Sequence, residues 1–119
     1  RISLAIEVVA ATRTRVPTLV FDEVDTGIGG GVAEIVGRQL RELGATGQSL
    51  CVTHLPQVAA QAAHHLHVAK QVADGQTSTR ISRLDDKARV EELARMLGGV
   101  ELTAQTRAHA ADMIARAHG

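Results

Sequence analysis

The stretch PTLVFDEVDTGIGGG, residues 17–31, constrains the fold more than any other part of the chain. Leu19, Val20 and Phe21 run without polar alternation, then Asp22, Glu23 and Asp25 follow, then Gly27, Gly29, Gly30 and Gly31. An apolar run of this kind reads as a strand buried on both faces, as in parallel sheets. The C-terminal ends of such strands form the rim where open α/β sheets hold their ligands. Three carboxylates gathered there repel one another unless a cation or a reaction uses them.

Spacing along the chain predicts the remaining elements. Ile2, Ala5, Ile6 and Val9 mark one face of a helix from Arg1 to about Thr12, with no N-cap before it, as though cut from something longer. Residues 13–17 form a polar connector ending in Pro17 before a strand over Thr18–Phe21. Val32, Ile35, Val36, Leu40 and Leu43 predict a helical stripe capped by Gly44, and Ser49–Thr53 a second buried strand. Strand, helix and strand make a βαβ unit, which puts His54 at the same sheet edge as Asp22 and Glu23. Pro56 suits the first turn of a short helix to about Ala63. Residues 65–72 and 77–84 read as a β-hairpin through a type I′ turn at Asp74-Gly75, with Leu66, Val68 and Val72 on one face. Asp85 or Asp86 is placed to cap a helix striped by Val90, Leu93, Ala94 and Leu97, stopped by Gly98-Gly99. Thr103 caps a last helix to about Ala117.

Composition narrows the function classes. The 119 residues fit one domain. Thirteen basic and thirteen acidic side chains balance, which leaves no global charge to attract nucleic acid or an anionic membrane. Phe21 is the sole aromatic residue, so base-stacking platforms are excluded. Cys51, the single cysteine, fits a reduced cytoplasmic compartment. No apolar stretch is long enough to span a bilayer.

Taken alone, the acids that end the first strand have two readings: an acidic surface turn, or the carboxylates of a nucleoside triphosphatase that hold Mg²⁺ and handle the attacking water. The glycines do not complete a dinucleotide fingerprint, because Val32 stands where the last glycine belongs. A tight loop approaching a neighbouring chain is the better reading. His65 and His67 share a strand face, but no third ligand has metal-site spacing.

Three separated motifs, in order, resemble the C-terminal part of the ATP-binding-cassette head of the RecN family, SMC-like ATPases of bacterial DNA double-strand-break repair. Residues 19–30, LVFDEVDTGIGG, look like that family's Walker B strand and D-loop. Residues 52–59, VTHLPQVA, look like its H-loop, and Arg83-Leu84 with residues 89–99, RVEELARMLGG, like its C-terminal hairpin and helix. The resemblance implies an α/β fold, a partial P-loop NTPase head comprising the whole of residues 1–119. It implies Asp22 as the Mg²⁺-associated carboxylate, Glu23 as the water-positioning base and His54 as the γ-phosphate sensor. Asp25, Gly27, Gly29 and Gly30 would meet the nucleotide across a head-to-head homodimer.

The sequence contains no Gly-x-x-x-x-Gly-Lys-Ser/Thr, the motif whose amides and lysine hold phosphates. The signature peptide and Q-loop are absent too. The expectation is therefore the hydrolytic half of a site: ATP and Mg²⁺ used only in the complete head, DNA reached through the parent protein, and no activity alone. A head of another SMC-like or ABC-type ATPase, or a non-catalytic dimerisation module, would share some of these features.

Overall fold

The computed structural model describes residues 17–22, 29–98 and 101–119. The expected helix before Pro17, the connector at residues 13–16, and Glu23, Asp25, Gly27 and Gly99 lie outside the described residues.

β1 (Thr18–Phe21) and β2 (Gln48–Cys51) pair in parallel, from Thr18 opposite Gln48 to Phe21 opposite Cys51. The helix between them, α1 (Gly30–Thr46), makes this a strand–helix–strand unit. The pairing extends past both ends: Gln48 N–H donates to Pro17 O at 2.8 Å and Val52 N–H to Phe21 O at 2.9 Å. β2 is shorter than expected, leaving Val52 and Thr53 beyond the strand.

The short helix α2 (Pro56–Ala59) follows, with Pro56 in its first turn as its fixed φ favours. It stops well short of Ala63, and its residues join two cores. Val58 packs with Phe21, Ala33, Leu40 and Leu43 under the parallel sheet. Ala59, with Ala60 just beyond the helix, packs with Leu93, Ala94 and Ala110 among the last helices. The antiparallel hairpin β3 (Leu66–Ala73) and β4 (Gln76–Arg83) turns through Asp74 at φ 53° and Gly75 at φ 75°, the two positive values of a type I′ turn. In α3 (Asp86–Met96) the Asp85 carboxylate accepts from Ala88 N–H at 2.8 Å. In α4 (Ala104–His118) the Thr103 hydroxyl accepts from Thr106 N–H at 3.1 Å. Both caps satisfy first-turn donors that the helix leaves unpaired.

Two expectations about burial are corrected. β1 is covered on one face only: Leu19 and Phe21 pack on α1 and α2, while Val20 is 67% exposed. Successive strand side chains point to opposite faces, and only a second covering layer would bury both. On α1 the buried line is Ala33, Gly37, Leu40 and Leu43, with Val36 half-buried; Val32 and Ile35 are each 53% exposed. Gly44 lies inside this helix, which runs on to Gly47 as its C-cap. On the hairpin, Leu66, Val68 and Val72 face solvent together with Ile81, while His67 and Ala69 on the opposite face are half-buried. That opposite face meets α3, where a Glu92 carboxylate oxygen lies 3.7 Å from His67 Nε2.

Candidate functional site

Parallel pairing brings the two chemical stretches to one rim. Asp22 leaves β1 immediately after Phe21, and Val52 leaves β2 immediately after Cys51, its register partner. Asp22 and His54 therefore emerge at the same end of the sheet, and both are exposed.

The turn carrying His54 is tied to α2. Leu55 N–H donates to Thr53 Oγ1 at 3.0 Å, while Leu55 O accepts from Val58 N–H at 3.2 Å and Ala59 N–H at 3.1 Å. The glycine end of α1 reaches the same place. Gly29 is the N-cap of α1 with no side-chain cap, and a Cβ on Gly30 would stand 3.5 Å from Gln57 Nε2. The amide oxygen of Gln57 is buried there without a hydrogen-bond partner. Asp22, Gly29, Gly30 and His54 are thus gathered by β1, α1, β2 and α2, whereas Glu23, Asp25 and Gly27 lie outside the described residues.

Among the described residues no group of three His, Cys, Asp or Glu side chains is arranged to hold a metal. Glu92 is the carboxylate beside His65 and His67. Burial pulls the His65 imidazole below its ordinary pKa, and the Arg89 charge adds to this while Glu92 opposes it. The Glu92 carboxyl is held below its usual range, chiefly by its hydrogen bond to Arg95. An open cleft of about 470 Å³ between α1 and α4 is lined by charges of both signs. Its cations are engaged: Arg38 pairs with Glu34 at 3.0 Å, and Arg41 donates to Ala117 O. It includes neither Asp22 nor His54.

Sequence reasoning missed Arg89. This side chain is buried, and its Nη2 donates to the carbonyls of Ala59 at 3.1 Å, Ala60 at 3.4 Å and Ala62. Desolvation lowers its pKa from the ordinary arginine value, against the pull of Asp86. Its spacing of four residues from Leu93 puts it on the packed face of α3, a signal hidden by the usual reading of arginine as solvated.

No protein-family model matches the chain. In sequence it is similar to proteins named "DNA repair protein RecN". The match to the Xylella fastidiosa (strain Temecula1) protein is 55% identical over 114 residues, 96% of this chain and 20% of that protein. The Vibrio cholerae protein is 51% identical over 96% of this chain and 21% of its own length, and the Bacillus subtilis protein 42% over 98% and 20%. The chain thus spans about a fifth of the length of these relatives. In structure it is similar to a solved chain from work on ATP-driven dimerization and DNA-stimulated activation of SMC ATPases. That likeness has a TM-score of 0.65 at 16% identity, covering 83% of this chain and 59% of the other, and it supports a shared α/β fold.

Proposed function

Because the chain belongs with the RecN proteins over nearly its whole length while spanning about a fifth of theirs, we propose that it is the C-terminal, hydrolytic part of an ATPase head. The parent protein would be cytoplasmic and act in DNA double-strand-break repair and recombination. The observation that carries this reading is the emergence of Asp22 and His54 at one end of a parallel strand pair, where α/β sheets place their ligands.

Asp22 suits Mg²⁺. It offers an exposed hard oxygen donor at a strand end, and this ion binds through one or two carboxylates plus phosphate while keeping several waters. The ion, when bound with ATP, neutralises charge on the phosphate oxygens. Glu23 orients the attacking water and takes its proton as the water oxygen joins the γ-phosphorus and the bond to the bridging oxygen breaks, releasing ADP. His54 donates a hydrogen bond to the γ-phosphate. Asp25, Gly27, Gly29 and Gly30 face a second head, so that ATP bridges a homodimer. The rest of the parent supplies the phosphate-holding loop and the layer that covers Val20, Leu50 and Val52, which are exposed here. No helix among the described residues is long and apolar enough to cross a membrane.

The test is Glu23→Gln in the full-length protein. Hydrolysis is expected to fall at least about a hundredfold while ATP-bound dimers accumulate. Hydrolysis at the wild-type rate would sink the reading. The 119-residue chain alone is expected to show no Mg²⁺-dependent turnover.

A further inference from the structure

We infer that Arg89 is a positioning residue for this hydrolytic site: by gripping the carbonyl end of α2 it sets where the Thr53–Leu55 turn presents His54. The inference rests on the role given to His54 above.

A helix of four residues is not stable on its own, because nucleation fixes several dihedrals for each hydrogen bond gained. α2 also lacks a side-chain N-cap. Its place must come from what surrounds it. Val58, Ala59 and Ala60 are held by apolar packing, which resists separation but resists sliding and rotation less. Hydrogen bonds to the last carbonyls supply the directional restraint. Arg89 donates to Ala59 O, Ala60 O and Ala62 O, and a ring nitrogen of His118 stands 3.1 Å from Ala60 O. A guanidinium at a helix C-terminus is also favoured by the negative end of the peptide dipoles.

The arrangement carries a penalty that packing alone would avoid. Arg89 is buried with its Nε lacking any partner, so the cation has lost water on one side to reach the carbonyls on the other. An apolar side chain of similar size would fill the space without that loss. What arginine adds is a planar, permanently charged group whose Nη2 is aimed at carbonyl oxygens. The restraint reaches His54 through a short path: Ala60 N–H to Pro56 O at 2.9 Å, Ala59 and Val58 N–H to Leu55 O, and Leu55 N–H to Thr53 Oγ1. A small rotation of α2 therefore moves the His54 turn with it.

The experiment uses the full-length protein with Arg89→Met, Arg89→Lys and, as a control, Leu93→Val, which thins the same core cluster without touching the carbonyls. ATP hydrolysis and thermal midpoints are measured together. Arg89→Met should lower kcat about tenfold with KM for ATP within about twofold. Arg89→Lys, which keeps the charge and one donor head, should recover part of kcat, and Leu93→Val should leave kcat near wild type despite its lowered midpoint. Should Arg89→Met fail to fold, Arg89→Lys decides by its kcat, with a drop supporting the inference. Wild-type kcat in the Arg89 variants, or an equal loss in Leu93→Val, overturns it. Where Glu23→Gln is inert and Arg89→Met behaves as wild type, the positioning role alone falls. Where Glu23→Gln hydrolyses normally, the functional reading falls and takes this inference with it.

Discussion

A Cβ on Gly37 would stand 3.1 Å from the Cα of Val58, and 2.9 Å from Cγ of Gln61, so glycine is what lets α1 and α2 approach at this point. Gln61 is itself buried and is met at Cβ and Cγ, and the Val58 backbone moves only if α2 moves. Gly37→Ala would gain up to about 1 kcal/mol of helix propensity and lose about 1–3 kcal/mol to overpacking. The net expectation is a loss of about 1 kcal/mol. Gly44, in the same helix, is the contrasting position: a Cβ there would meet Ser49 Oγ at 3.5 Å, an ordinary contact. Gly44→Ala should stabilise by up to about 1 kcal/mol. Chemical denaturation of the two variants should give shifts of opposite sign, and shifts of the same sign would refute the close approach.

The hairpin depends on two residues in the left-handed region, Asp74 at φ 53° and Gly75 at φ 75°. Aspartate tolerates that region better than most side chains, and glycine enters it freely. Gly75→Ala is expected to weaken the hairpin by about 1 kcal/mol, which raises amide exchange about fivefold in the strand residues beside the turn. Asp74→Asn should leave exchange unchanged, because asparagine is equally at home in a type I′ turn. Equal exchange in Gly75→Ala and wild type would mean that the turn is not what sets the register.

Features that depend on neighbouring residues are legible in the sequence itself. The strand at Thr18–Phe21, the turn at Asp74-Gly75 and the caps at Asp85 and Thr103 each rest on a few adjacent residues, and each is found. The common rim of Asp22 and His54 is also readable, because a parallel crossover returns the second strand in the same direction as the first. Which face each element buries is not. Val32 and Ile35 are more apolar than Ala33 and Gly37, yet the smaller pair faces α2 because it permits close approach. Val20, Val68 and Ile81 carry strand-forming side chains on faces that nothing among the described residues covers. Arg89 stays hidden because its acceptors lie 27 to 30 residues earlier in the chain.

Acid should loosen the packing around α3 before it affects the carboxylates. His65 and His118 both have pKa values lowered from 6.5, each chiefly by desolvation. The charges facing His65 are Arg89 and His67, which disfavour its protonation, and Glu92, which favours it. His118 faces Arg41 and Arg89. In the unfolded chain these imidazoles take up protons as the pH falls past about 6.5, while the folded chain holds them neutral to lower pH. The stability they contribute is therefore complete above about pH 6.5 and is lost as the pH falls through their folded values. Glu92 acts lower: its carboxyl sits below the ordinary 4.5, so its contribution is present above that value and is lost on further acidification. His65 should account for more of the first phase than His118, because it is half-buried and His118 is exposed. Urea midpoints measured from about pH 7.5 down to about pH 5 should decline for wild type. They should decline less for His65→Gln, and His118→Gln should fall between the two. A His65→Gln curve that parallels wild type through this range would exclude His65 as the group responsible.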